Sequence, residues 1–262
     1  MEKFGKSQSV GRKEDGRFLT GQGRYVDDLI LAGALHTFVF RSPVAHAELT
    51  DIDLKASREA DGVHLVLGYD DIIAAGVNAG LDSTVVDNLD GSKGAAPFRP
   101  MLANKRVRFV GEAIAFIVAE TPAQARDAAE LIECHYDELP VHLAIAPGGK
   151  TIHPEAPKNL AFDWGMGDAK ATQTAFDQAA HRIALEVVDN RIIVNSIEPR
   201  GCYAEWSDSR IHVCVNGQGV WGAKTSIAKA LNLNEEQVRV TNPDVGGGFG
   251  MKAMMYPETY LC

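Results

Sequence analysis

The sequence predicts an α+β fold, on three observations. Short runs that alternate apolar and polar residues recur through the first half, the mark of half-buried strands. A continuous apolar run, Ala113–Val118, is followed at once by helix-start signals at Thr121, Pro122 and Gln124. A glycine pattern, Gly217-Gln218-Gly219-Val220-Trp221-Gly222, lies between a strand-like stretch and a helix-like one.

The elements follow in order. Residues 1–30 are polar and glycine-rich and predict an extended arm with little core of its own. Strands are expected over Leu35–Phe40, Ala47–Leu54 and Val63–Leu67, then a short helix over Asp70–Ala75 ended by Gly76. Residues 77–100 are rich in Asn, Asp, Gly, Ser and Pro and read as loop. The apolar run within Val107–Ala119 predicts a buried strand. Thr121 caps a helix to about Leu131, with Gln124 completing a capping box. Ile132–Tyr136 is the expected return strand, so this stretch reads as a β-α-β unit with a right-handed crossover. A linker occupies Pro140–Pro157, and a second region begins near Phe162. There a helix over Thr172–Ala180 precedes a long strand over Arg182–Val194, broken near Asp189-Asn190. A hairpin turns at Ser207-Asp208-Ser209, and a helix over Ala223–Leu231 leads to a strand over Val238–Thr241.

Composition excludes some functions. A formal charge of −9 with no Lys/Arg block argues against nucleic-acid binding. No apolar stretch approaches the length of a membrane span, and Met1-Glu-Lys-Phe-Gly-Lys6 is not an export signal. Cys134, Cys202, Cys214 and Cys262 are scattered, with no C-x-x-C spacing for zinc or an iron–sulfur cluster. Free buried thiols in a reducing cytoplasm are the expectation. His36, His46, His135 and His212 show no partner pattern and read as structural or surface residues.

Two glycine motifs carry chemistry. Gly217–Gly222 matches G-x-G-x-x-G between strand and helix, with Asp244 at 22 residues beyond Gly222, the context of a dinucleotide site. Against it, only 18 residues follow Asp244, and bulky Trp221 stands beside the third glycine. The second motif is Asp244-Val-Gly-Gly-Gly-Phe-Gly250. It fails as a P-loop, because Lys252 follows Met251 and Ala253 stands where a hydroxyl should hold magnesium. Its backbone N–H groups could still line a concavity for an anion, walled by Phe249.

Six segments carry a resemblance: Gly21-Gln-Gly-Arg-Tyr-Val-Asp-Asp28, Arg41-Ser-Pro-Val-Ala-His46, Arg108-Phe-Val-Gly-Glu112, Glu198-Pro-Arg200, Asn216-Gly-Gln-Gly219 and Asp244–Gly250. In this order they resemble the N-terminal part of the molybdenum-binding large subunit of the xanthine dehydrogenase/aldehyde oxidase/carbon monoxide dehydrogenase family. The resemblance implies an arm over 1–19 and an α/β hammerhead domain over 20–140. A linker over 141–161 then leads to the beginning of a molybdopterin-binding domain over 162–262. It implies a molybdopterin cofactor, the cytosine dinucleotide being one form, whose molybdenum carries oxo and sulfido-type ligands. Such enzymes oxidise aldehydes or N-heterocycles with oxygen from water. [2Fe–2S] clusters and FAD are expected on partner subunits. By position, Gln218 resembles the glutamine whose amide hydrogen-bonds the metal's oxo ligand, without ligating the metal directly. Gly219, Gly247, Gly248, Phe249 and Gly250 resemble the rest of the cofactor cradle.

Two departures matter. Purine-oxidising relatives carry a glutamate where Ala253 stands, so a xanthine-type substrate is disfavoured. The general-base glutamate is expected beyond Cys262, on the remainder of the large subunit or a second split subunit, with no catalytic residue in this chain. Glu198 is a minor candidate for that base. A nicotinamide-dependent dehydrogenase built on Gly217–Gly222, and a non-catalytic assembly module, remain as alternatives.

Overall fold

Alternation, capping and turn chemistry place most elements where the sequence puts them. The computed structural model describes residues 10–29, 31–81, 83, 85–190 and 192–262; the start of the expected arm, residues 1–9, lies outside these. The helices are α1 (Asp15–Leu19), α2 (Lys55–Arg58), α3 (Tyr69–Ala74), α4 (Pro122–Glu130), α5 (Ala169–Gln178), α6 (Trp221–Leu231) and α7 (Pro257–Leu261). The strands are β1 (His36–Arg41), β2 (Ala47–Asp53), β3 (Val63–Leu67), β4 (Arg106–Val107), β5 (Ala113–Ala119), β6 (Glu133–Glu138), β7 (Cys202–Ser207), β8 (Arg210–Val215) and β9 (Val238–Thr241).

They form three small sheets, ordered β1-β5-β3, β4-β2-β6 and β7-β8-β9. β5 is the central strand of the first, antiparallel to both neighbours. It is buried on both faces, as its unbroken apolar run requires. Ala115, Ile117 and Ala119 meet the alanine face of α4 (Ala125, Ala128, Ala129), where small side chains allow close approach. Phe116 joins a different core, with Met101, Leu102 and Ile227. Thr121 caps α4 by accepting from Gln124 N at 3.2 Å. The reciprocal half of the box differs from expectation: the Thr121 hydroxyl donates to Gln124 Oε1 at 2.8 Å.

Two expectations fail for physical reasons. β5 and β6 do not form a β-α-β unit, because they lie in separate sheets and β6 pairs antiparallel with β2. The polar–apolar alternation of Glu133–Glu138 fits an antiparallel strand with one wet face, not a parallel strand buried on both. The parallel unit occurs later, where α6 connects β8 to β9. The long strand over 182–194 is also absent from the described residues. Its alternating apolar side chains find no neighbouring strand, and Ile183, Leu185, Val187, Ile192 and Ile193 are exposed. Alternation marks strand potential, but a ladder needs a second strand to accept its hydrogen bonds.

The hairpin turn is as expected. Asp208 (φ 50°) and Ser209 (φ 62°) both take the left-handed conformation of a tight two-residue connection. Of the thiols, Cys214 is buried, Cys134 and Cys202 are partly buried, and Cys262 is exposed, so the expectation of buried cysteines holds fully only for Cys214. All are free. The histidines are structural or exposed. His46 is buried with Nδ1 at 2.9 Å from Pro140 O, and His212 bridges Glu205 and Thr241.

One core spans both halves of the chain: Ile72, Met101 and Phe116 pack in the same cluster as Val213, Ile227 and Val238. Polar joints reinforce it. Asn78 N donates to Ala230 O at 2.9 Å, and Asn232, left-handed at the end of α6, donates to Gly76 O at 2.7 Å. We therefore predict that Ile72→Ala and Ile227→Ala each cost about 2–5 kcal/mol and lower the same unfolding midpoint in urea. Two independent transitions, each sensitive to only one substitution, would contradict a shared core.

Candidate functional site

The site lies where three chain segments meet: 196–201, 216–219 and 244–252. Two of them, 216–219 and 244–252, are glycine-rich, and polar residues hold the three together. Asn216, buried at the end of β8, donates through Nδ2 to Pro199 O at 2.7 Å and accepts from Gly201 N at 3.0 Å. Asn242, just past β9, donates to Gly217 O at 2.7 Å. Gln218 N donates to Lys252 O at 3.0 Å, joining the two glycine turns directly.

Close approach explains the glycines. A Cβ on Gly248 would lie 2.7 Å from Cγ and Cδ of Gln218, so the Gln218 side chain rests on bare backbone. Gly247 (φ 100°) and Gly250 (φ 79°) occupy conformations that other residues rarely adopt. Gly219 and Gly250 have open space where a side chain would be. Phe249 is also left-handed (φ 50°) and projects with 74% of its surface exposed. Beside these turns is a cavity of about 690 Å³, lined by Gln218, Gly219, Lys252, Arg200 and Tyr256, with Arg99 reaching it from the 77–100 loop.

Charge in the site is largely paired. Glu198 Oε2 accepts from Lys252 Nζ at 2.9 Å and from Gly246 N at 2.8 Å. Burial pushes the Glu198 carboxyl up, but donation from Asn216, Lys252 and Gly246 outweighs it and holds the group below the usual carboxylate range. A carboxylate held in an ion pair in this way is a weaker general base than a free one, which counts against Glu198 in that role. Arg200 stacks over Tyr256 at 3.8 Å and donates to Glu258 at 2.8 and 3.1 Å, while Arg41 approaches the other Glu258 oxygen at 3.6 Å.

The arm reaches the same place. Asp244 accepts from both terminal nitrogens of Arg17 and from Arg24 N at 2.7 Å, and its own N–H donates to Arg24 O at 3.0 Å. Buried Val26 packs beside Gly201. Asp244 is therefore engaged by the arm, not free to hold a ribose, which counts against the dinucleotide reading. The other landmarks are joints too. Ser42 N donates to Glu112 O at 2.9 Å, Gly111 N donates to Ser42 O at 2.8 Å, and Arg41 donates to Gly111 O at 3.0 Å.

The structure thus brings Gln218 onto Gly248, with Phe249 against Gly247, while Gln218 and Gly219 line the cavity and Gly247, Gly248, Phe249 and Gly250 do not. Sequence reading named Asn216 and Lys252 without giving them a place in the polar frame, and it missed Asn242 and Arg17. The signal available for Lys252 was a lone cation two residues after the last glycine of the run. Among the described residues, no cluster of His, Cys, Asp and Glu could hold a metal ion directly. What the site offers instead is a side-chain-free floor, an amide and an exposed aromatic, which fit a flat cofactor that carries its own metal.

Two family descriptions match the chain. Residues 20–140 match the a/b hammerhead domain of aldehyde oxidase and xanthine dehydrogenase, and residues 152–262 match the molybdopterin cofactor-binding domain. The chain belongs to the xanthine dehydrogenase, aldehyde oxidase and carbon monoxide dehydrogenase family of molybdenum-binding large subunits. It is 36% identical to the nicotine 6-hydroxylase large subunit of Paenarthrobacter nicotinovorans, over 96% of this chain and 31% of that protein. It is 31% identical to the carbon monoxide dehydrogenase large chain of Hydrogenophaga pseudoflava, over 95% of this chain and 32% of that protein. Quinoline 2-oxidoreductase from Pseudomonas putida 86 superposes with a TM-score of 0.77 at 33% identity, over 97% of this chain and 32% of that one. The chain spans about a third of the length of these molybdenum-family relatives.

Asp244 is held below its ordinary pKa of 3.8, chiefly by its hydrogen bond to Arg17. A depressed carboxylate gives stability that is present above the ordinary value and lost as pH falls through the lowered one. Attachment of the arm should therefore persist at neutral pH and fail only below 3.8. Arg17→Ala should release it at neutral pH, seen as severalfold faster proteolytic cleavage within residues 10–25. Unchanged cleavage would show that Asp244 does not hold the arm.

Proposed function

We propose that this chain forms part of a molybdenum hydroxylase that oxidises an N-heterocycle or an aldehyde with oxygen from water. The observation that carries this is the seating of Gln218 on Gly248, which sets against the glycine run a side-chain amide whose residue also lines the cavity of about 690 Å³. With the cofactor bound, the Gln218 amide would donate a hydrogen bond to it without ligating the metal. An amide can do so without adding formal charge. Gly219, Gly247, Gly248 and Gly250 supply backbone against the pterin, and Phe249 supplies an apolar wall. When bound, the pterin-held molybdenum supplies two-electron oxidation chemistry at this place.

Ala253 lines the cavity and offers no side-chain acceptor or donor, which favours a substrate without the polar edge of a purine. Nicotine and quinoline, the N-heterocycles in two relatives' names, set the class we favour. The general base belongs to the rest of the assembly, as do [2Fe–2S] clusters and FAD on partner subunits. The cytosine dinucleotide form of the cofactor and a cytoplasmic setting complete this reading. No described helix is long and apolar enough to cross a membrane. The division into an arm, a hammerhead domain over 20–140, a linker and a cofactor domain from 162 is the organisation we favour, with the shared core joining its parts.

The test is the assembled enzyme containing this chain, assayed for molybdenum, pterin and turnover of quinoline or nicotine with an artificial electron acceptor. Gln218→Ala should keep most of the pterin and lose about 10²–10³-fold in kcat, the scale for removing one preorganised donor. Wild-type enzyme free of molybdenum and pterin would overturn the proposal.

A further inference from the structure

Lys252 is buried to an unusual degree for a charged residue. Its side chain is 1% exposed, and its ammonium lies 2.9 Å from Glu198 Oε2. Its backbone is committed as well: the N–H donates to Gly248 O at 3.4 Å and the carbonyl accepts from Gln218 N at 3.0 Å. Glu198 mirrors this from the other side. The same Oε2 accepts from Gly246 N, and Glu198 N donates to Gly246 O at 3.2 Å. A Cβ on Gly246 would lie 2.5 Å from Glu198 Cβ, so the two backbones approach as closely as glycine allows.

One ion pair therefore grips the glycine run at both ends, Gly246 and Lys252. Through the Lys252 carbonyl it also fixes the turn that carries Gln218. The Lys252 ammonium and Glu198 Oε2 are committed to each other, and Glu198 Oε1 is buried without a partner. The two charges neutralise each other, so the floor presents backbone amides and not a full charge. A buried pair of this kind is weak as a source of stability, because desolvation offsets the attraction. Its geometric effect is stronger, since leaving either partner alone forces the loop to move or the charge to find water.

We propose that Glu198 and Lys252 are positioning residues that set the spacing between the Gln218 amide and the glycine floor, so that molybdopterin seats in a single orientation. This rests on the functional reading above.

The test compares wild-type assembled enzyme with Lys252→Met, Glu198→Gln and the double variant. Readouts are pterin per protein, the Mo(V) electron paramagnetic resonance signal and the melting temperature. Lys252→Met strands a carboxylate in a buried place and should lower pterin content about tenfold. Glu198→Gln is nearly isosteric, guards against a folding failure of Lys252→Met, and keeps an acceptor for Gly246. It should retain cofactor but broaden or split the single Mo(V) signal. The double variant removes both charges and should recover melting temperature without recovering the wild-type signal, which separates positioning from stability. Wild-type pterin content and an unaltered Mo(V) signal in Glu198→Gln and the double variant would overturn the proposal while leaving the functional reading intact. Wild-type enzyme without pterin would overturn both.

Discussion

Glycine turns cannot pack against one another through side chains, so something else must hold them in register. Here that constraint is met by buried polar groups. Asn216 ties the Pro199–Gly201 backbone to the end of β8, Asn242 ties Gly217 to the end of β9, and Glu198 with Lys252 grips the glycine run. Both polar atoms of the Asn216 amide, Asn242 Nδ2, Glu198 Oε2 and Lys252 Nζ have partners, while Glu198 Oε1 and Asn242 Oδ1 are buried without one. The paired atoms offset part of the cost of burying these groups. The result is a surface that is nearly bare of side chains yet fixed in shape, the combination a flat cofactor needs.

The scaffold explains why the turns lie where they do. β8 and β9 are parallel and adjacent, and α6 connects them. Gly217–Gly219 follows β8 and Asp244–Gly250 follows β9, so both turns emerge from the same end of the sheet. Open sheets bind ligands outside the carboxyl ends of parallel strands for this reason. The hammerhead region contributes as well: its loop brings Arg99 to the cavity, and its core is continuous with that of α6. The arm is tied to the start of the second turn through Arg24 and Arg17 on Asp244.

What was legible in the sequence was local. The apolar run of β5, the Thr121 cap and the left-handed pair at Asp208-Ser209 are short-range signals, and each was readable within a window of a few residues. The two glycine motifs were also visible, and the meeting of Gln218 with Gly248 followed from a family resemblance rather than from spacing. Long-range pairings were not legible. Lys252 meets Glu198 across 54 residues and Asp244 meets Arg17 across 227, and nothing local encodes either. Strand partners failed for the same reason: the pattern of Glu133–Glu138 announced a strand but not its sheet, and that of 182–194 announced a strand without supplying a neighbour.

The central claim is that the turns at 216–219 and 246–252 are one seat held by a common frame. Amide hydrogen exchange on the assembled enzyme, with and without its cofactor, tests this most directly. The account predicts that cofactor loading slows exchange in both turns together, by similar factors, while β1, β3 and β5 are unaffected. Protection confined to one turn, or appearing elsewhere in the chain with both turns unchanged, would contradict it.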